Sequence, residues 1–262
     1  MEPKGTEKLF EQLPLEKKLT LSERISGDSS YHHALALAQA VERLASIEVP
    51  ARGRLLRVVY AELERLANHF NDLAFIMLDT GFSFGGSHGS RLRERVMQWN
   101  ERLTGSRFLR GVVAYGGVTR DISGETLQAL HDDLELLEKD FMEVIAVTKE
   151  SDSVQNRLKG TGRLDATVAR DLGAVGIAAR ACGQEIDARA DYPYAAYDVV
   201  QFGIMTEKSG DVYARFRVRA REVTQSFRLL NQVLALLVHE SGAIASPVHS
   251  LPSNRHAVSL VE

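Results

Sequence analysis

The chain has 262 residues, 44% hydrophobic and 26% charged, with a net charge of −3; it is long enough to bury a sizeable core and is not basic enough to make nucleic acid its main partner. A single cysteine, Cys182, excludes a disulfide framework and any cysteine-rich zinc or iron–sulfur site built by this chain alone. No apolar run reaches the length of a membrane span, and the charged start MEPKGTEKLFEQLP does not read as a signal peptide.

In chain order, the first strong helix is expected from about Ser30 to Ala45. Ala34, Leu37, Ala38, Val41, Leu44 and Ala45 recur at helical spacing, Asp28 or Ser29 is placed to cap it, and Val49-Pro50 ends it. A longer helix follows over about Ala51–Leu78, with one broad stripe from Leu55 and Leu56 through Val59, Leu63, Leu66, Phe70 and Leu73 to Met77. Gly81, Gly85, Gly86 and Gly89 then predict a flexible hinge; the stretch lacks the Lys-Ser/Thr of a phosphate loop. Helices are expected next over about Ser90–Leu103 and Ser123–Glu150. Residues 151–210 read as mixed, with a Tyr-Pro-Tyr cluster and a β-like run at Asp198–Met205. A last helix covers about Gly210–His239, striped by Val212, Phe216, Val223, Phe227, Leu230, Leu234 and Leu237. The final twenty residues look like a loop leading into the start of another element. The fold class is therefore mostly α with a minor β or irregular portion, in one domain over residues 1–262.

Three constellations stand out from this background. Before the first long helix lies Arg24-Ile25-Ser26-Gly27-Asp28-Ser29-Ser30-Tyr31-His32-His33, which suits anion binding or plain capping with a core histidine at His33. On the second helix Glu62, Arg65 and His69 are spaced i, i+3, i+7 along one border of the apolar stripe, placed to meet a neighbouring helix or to form a simple ion pair. In the last helix the arginines 215, 217, 219, 221 and 228 read mostly as a solvated face. Arg219 falls on the apolar stripe and needs a partner: a carboxylate, a carbonyl or a hydroxyl such as those of Tyr192, Tyr194 and Tyr197. Cys182, in RACGQ, has no chemically informative neighbour and reads as structural.

The segments KGTEKLFE, ERISGDSSYHHALALAQAVERL, VPARGRLLRVVYAELERLANHFNDL, RLRERV, GGVTRDI, DYPYAAYD and GDVYARFRVRARE resemble the large subunit of nickel–iron hydrogenases, above all the membrane-bound energy-converting group. They also resemble its relative in respiratory complex I, the hydrogenase-like 49-kilodalton subunit. The resemblance implies a hydrogenase-type helical core, represented here in part and shortened at both ends. It further implies three partners: an iron–sulfur small subunit that holds the clusters, a C-like subunit of the same complex, and a membrane arm. The chain itself would be peripheral to the cytoplasmic membrane.

Hydrogenases of this family carry Arg-x-Cys-Gly-x-Cys-x-x-x-His at the first motif. Arg24, Gly27 and His33 match it, whereas Ser26 and Ser29 stand at the metal-binding cysteines, and the family's second Cys-x-x-Cys is absent. Serine is a poor ligand for nickel and iron, so no metal and no cofactor is expected on this chain. A quinone-type acceptor near Ser26–His33 is what complex I would imply, although its quinone-binding tyrosine aligns with Gly27 and its partner histidine lies in an N-terminal loop without counterpart here. Glu62, Arg65 and His69 would support the cavity wall; Glu7, Arg215, Arg219, Tyr192 and Tyr194 would have structural or interface roles. Two functions are expected from this: an oxidoreductase subunit passing electrons to a quinone, or a non-catalytic scaffold that docks partner subunits.

Overall fold

A computed structural model describes residues 5–248 and 251–262. Two short helices, α1 (Thr6–Gln12) and α2 (Leu15–Ser22), lead into α3 (Ser30–Ala45), α4 (Ala51–Asp79) and α5 (Ser83–Thr104). A small hairpin, β1 (Val113–Ala114) and β2 (Gly117–Val118), precedes α6 (Gly124–Glu150). Four short helices follow, α7 (Asp152–Leu158), α8 (Ala166–Asp171), α9 (Gly176–Ala181) and α10 (Ala188–Asp191), then a 3-10 turn (Tyr197–Val199) and α11 (Val212–His239). The mostly α reading with a minor β portion holds.

Helix α4 is the central strut, packed between α5 and α11, with α6 closing the far side. Its whole stripe from Leu55 to Met77 is buried, and so are the stripe residues of α11 from Phe216 to Leu237. Phe70 of α4 meets Phe141 of α6 at 5.5 Å and Phe227 of α11 at 6.3 Å between ring centroids, so three helices share one aromatic contact. Helices α6 and α11 begin on side-chain caps: Ser123 Oγ accepts from the Thr126 amide, and Asp211 Oδ1 accepts from the Ala214 amide at 2.8 Å.

The glycine stretch departs from expectation. Instead of a hinge, residues 83–89 form the first turns of α5, and their glycines lie against α4. A Cβ at Gly86 would strike the Leu78 side chain, and one at Gly89 would come within 2.8 Å of Ala74 Cβ and 3.1 Å of its Cα. Glycine here allows two helix backbones to approach closely.

The β-like run at Asp198–Met205 is likewise no strand. Gln232 on α11 takes the strand partner's place: its Oε1 accepts from the Gln201 amide and its Nε2 donates to the Gln201 carbonyl, both at 2.9 Å. The actual sheet is the hairpin at 113–118, turned by Gly116 at φ 83° and continued by a bridge from Gly117 to Ala245. Arg57 of α4 pins it, donating to the Ala114 and Gly117 carbonyls at 3.0 Å each while paired with buried Glu42 of α3. Beyond that bridge the described C-terminal residues form no regular element.

If close packing is the reason for the glycines, Gly89→Ala should destabilise the fold by about 1–3 kcal/mol despite alanine's higher helix propensity. Gly124→Ala, at an exposed first turn where a Cβ meets nothing within 4 Å, should be neutral or stabilising by up to about 1 kcal/mol. Urea unfolding of the two variants checks this; a hinge at Gly89 would make both changes stabilising.

Candidate functional site

The first turn of α3 lies against the middle of α4. Ser29 occupies the cap position of α3, but its side chain makes no capping bond. A carboxylate from another helix does that work: Glu64 Oε1 accepts from the Tyr31 amide at 2.8 Å and Oε2 from the His32 amide at 3.0 Å. The same Oε2 lies 2.5 Å from His32 Nδ1. A negative charge at a helix N-terminus is favoured by the unpaired amides and the helix dipole. The local cap expected from Asp28 or Ser29 is thus replaced by a tertiary one.

Elsewhere on α4, Glu62 is fully buried and gathers four partners. Its Oε1 accepts from Arg189 Nη1 at 3.2 Å and from the Tyr197 hydroxyl, and Oε2 accepts from Ser226 Oγ at 2.5 Å. Arg65 Nε lies 3.5 Å from Oε1. Burial alone would raise the Glu62 carboxyl, but Arg65, Arg189 and the two hydroxyls bring it down to about 2.

Around this carboxylate the charges alternate. Arg189 is also held by Asp187, at 3.0 and 2.7 Å. Arg180 donates to Glu222 Oε1 at 2.7 Å and to the Glu262 carboxylate, and Glu222 Oε2 bonds His69 Nε2 at 2.8 Å. Burial holds the His69 imidazole below its usual range, although the Glu222 carboxylate opposes this. Glu262 is tied further by its amide to the Tyr194 hydroxyl and by its main-chain oxygen to Arg65 Nη2, each at 3.2 Å.

Between this network and the α3 N-terminus opens a cavity of about 300 Å³, lined by Ser29, His32, His33, Arg65, Asn68, His69, Val261 and Glu262. Of the predicted residues, Ser29, His33, Arg65 and His69 therefore meet at one cavity, with Glu62 buried behind Arg65. Arg24 and Gly27 are exposed, Ser26 is half-buried, and none of the three lines it. Glu7 is exposed on α1.

Arg219 finds a carboxylate partner, Asp72 Oδ2 at 2.8 Å, and no tyrosine. Arg215 ties the loop before α11 through the Gly210 and Gly162 carbonyls. Tyr192 is exposed, whereas Tyr194 and Tyr197 are buried against each other with centroids 4.9 Å apart. Cys182 is buried, with Sγ 3.2 Å from the Leu164 carbonyl, and does not line the cavity.

Several members of the site are not expected from the sequence: His32, Glu64, Arg180, Asp187, Arg189, Glu222, and Tyr197 as a partner of Glu62. The one available signal is charge at apolar positions. Glu222 precedes Val223 on the buried stripe, and Glu64 lies between Leu63 and Leu66.

The cavity's donors are hydroxyl, imidazole, guanidinium, amide and carboxylate groups, with no sulfur. That set does not fit a nickel–iron pair, which calls for soft thiolates. Among the described residues no helix is long and apolar enough to cross a membrane.

Residues 79–262 match the family model described as respiratory-chain NADH dehydrogenase, 49 Kd subunit. The chain is 35% identical over 253 residues to NADH-quinone oxidoreductase subunit 4 of Thermus thermophilus, covering 96% of this chain and 61% of that one. It is 32% identical to an NADH-quinone oxidoreductase subunit of Clostridium beijerinckii, covering 88% and 62%. It is also 32% identical to formate hydrogenlyase subunit 5 of Escherichia coli, covering 87% and 40%. The chain thus spans about three fifths or less of the length of these relatives.

The depressed carboxyl of Glu62 sets an expectation for acid stability. Its ionised form stabilises the fold fully above the ordinary carboxyl value of 4.5, and that contribution is lost as pH falls from there toward about 2. Glu62→Gln should lower the stability plateau at pH 7 by about 3–5 kcal/mol, because it leaves buried arginines uncompensated. It should also remove part of the acid slope below pH 4.5. Urea midpoints measured from neutral pH down to about pH 3 read both effects.

Proposed function

Because the chain belongs to the respiratory-chain NADH dehydrogenase 49-kilodalton subunit family, we propose that it is a subunit of a complex-I-like oxidoreductase. Its cavity beside the start of α3 takes a quinone-type electron acceptor. The observation that carries this reading is the cavity itself. About 300 Å³ lies at the low end of small-molecule sites, with room for a substituted ring, and its walls combine imidazoles and a guanidinium with the apolar Val261.

The partners belong to the same proposal. Electrons would come from an iron–sulfur cluster on a small subunit. A C-like subunit and a membrane arm would complete the assembly and hold the chain at the cytoplasmic membrane. NADH oxidation would fall to another subunit. Exposed apolar side chains such as Leu172 (76% exposed), Val175 (71%) and Leu136 (67%) support burial against other chains. Hydrogen activation is not part of the proposal, since serines stand where the metal pair would need thiolates.

Within the cavity each group has a distinct task. Arg65 places a positive charge at the wall and can only donate hydrogen bonds. Its charge is held in place by Glu62 and by the Glu262 main chain. His69 is fixed by Glu222, and burial lowers the affinity of its imidazole for protons. These residues orient a ligand and shield it from bulk water; the redox change itself resides in the ligand and the partner's cluster.

Ser29 offers a direct test, since it lines the cavity and its hydroxyl makes no capping bond. Ser29→Phe should fill the cavity while leaving the assembly intact. Quinone-dependent electron transfer by the purified native complex should then fall by more than tenfold, with a matching loss of decylubiquinone binding. Activity and binding unchanged in that variant would support the scaffold function instead.

A further inference from the structure

We propose that the cleft between α6 and α11 binds an anionic amphiphile, with its carboxylate or phosphate head on α11 and its alkyl chain against α6. The cleft has a volume of about 310 Å³ and shares no residue with the cavity beside α3. It stands independently of the quinone reading.

The floor is apolar. Phe141 and Ile145 of α6 and Ala220 of α11 form it and are all buried. Met142, 48% exposed, and half-buried Met205 flank it. Methionine side chains are unbranched and adapt to irregular apolar shapes, which suits a flexible chain. The two walls meet where Thr224 Oγ1 lies 3.8 Å from Met142 Sδ.

The polar wall has one sign of charge. Every charged residue of the lining is a cation (Lys149, Arg217, Arg221 and Arg228), although the chain as a whole carries −3. Arg217 and Arg221 share a single carboxylate oxygen of Glu207, at 3.1 and 3.3 Å, so one negative charge serves two guanidiniums. Lys149 and Arg228 make no ion pair among the described residues.

Between the arginines sits Gln225, only 5% exposed. Its neighbours on α11 are engaged: Glu222 holds Arg180 and His69, and Ser226 holds Glu62. The Gln225 carboxamide makes no hydrogen bond among the described residues, yet it is not sealed in protein and opens into the cleft. Buried polar groups are normally paired. Arg221, Gln225 and Arg228, spaced i, i+4, i+7, share one face of the helix.

These groups define the ligand. An anionic head accepts from the Gln225 amide and from the arginine forks. A small anion alone leaves the apolar floor facing water, and a neutral alkyl chain leaves Gln225 and the cations without an acceptor. A molecule with both ends satisfies both walls.

Equilibrium dialysis of the native assembly, purified through a tag on this chain, tests this with decanoate, decanol and inorganic phosphate. Decanoate should bind at least about tenfold tighter than either of the others, the effect of charge-assisted hydrogen bonding added to apolar burial. Arg228→Gln, at an exposed position, and Gln225→Met should each weaken decanoate binding by at least threefold and leave decanol binding unchanged. Ser29→Phe, which fills the other cavity, should leave decanoate binding as in the wild type. Dihexanoylphosphatidylglycerol separates the sources of the head: tighter binding than decanoate, lost in Arg228→Gln, assigns a membrane phospholipid, and weaker binding assigns a free fatty acid. Decanoate that binds no better than decanol or phosphate, that is indifferent to Arg228→Gln, or that is lost in Ser29→Phe overturns the proposal. Loss of a subunit from the assembly in Arg228→Gln also overturns it, and gives the cleft to an acidic protein partner.

Discussion

A fully buried carboxylate in the middle of the central helix organises this molecule. Glu62 cannot stay ionised inside the protein unless several donors converge on it, and the donors come from three directions: Arg65 on α4 itself, Arg189 of α10 with Tyr197 of the 3-10 turn, and Ser226 from α11. Desolvating such a charge without partners would cost more than most single interactions return. The 187–197 segment is tied to α4 through Glu62. Arg189 bridges Glu62 and Asp187, and Arg180 repeats the arrangement one step away with Glu222 and Glu262.

Helix α4 uses the same device along its length. Arg57 pairs with Glu42 and draws the hairpin onto α3 and α4. Glu64 reaches the N-terminus of α3 and fixes where that helix begins. His69 meets Glu222 of α11. Apolar packing supplies most of the favourable free energy of burial but is tolerant of small shifts; the directional charges set the register of each neighbour. The cavity lies between these pieces, beside the start of α3. Of its lining, Arg65, Asn68, His69 and Glu262 are each held by a partner.

Much of the scaffold was legible in the residues. The spacing from Ser30 to Ala45, from Ala51 to about Leu78, and from Ser123 to Glu150 identified α3, α4 and α6 within a residue or so, because long amphipathic stripes report helices directly. The Glu62, Arg65, His69 row was visible as polar residues bordering a stripe, and Arg219 as a cation in need of a partner. The misreadings have a shared cause. Glycines 85, 86 and 89 look alike in a hinge and in a tight helix pair, and only the presence of Ala74 and Leu78 opposite them decides. The run at 198–205 is apolar enough for a strand, but a strand needs a backbone partner, and Gln232 satisfies Gln201 instead.

By itself, then, the sequence determined the helical class, the main boundaries, the family motif with serine at two ligand positions, and the few side chains whose periodicity exposed them. These are properties carried by local spacing and residue chemistry. Tertiary structure alone decided which of two adjacent histidines is buried and fixed, that Glu64 rather than Ser29 caps α3, and that Tyr197 rather than Tyr192 joins Glu62. Each of those outcomes pairs residues more than thirty positions apart. No periodicity encodes such a pairing, because it arises only when separately specified helices are brought together and their buried charges must be satisfied.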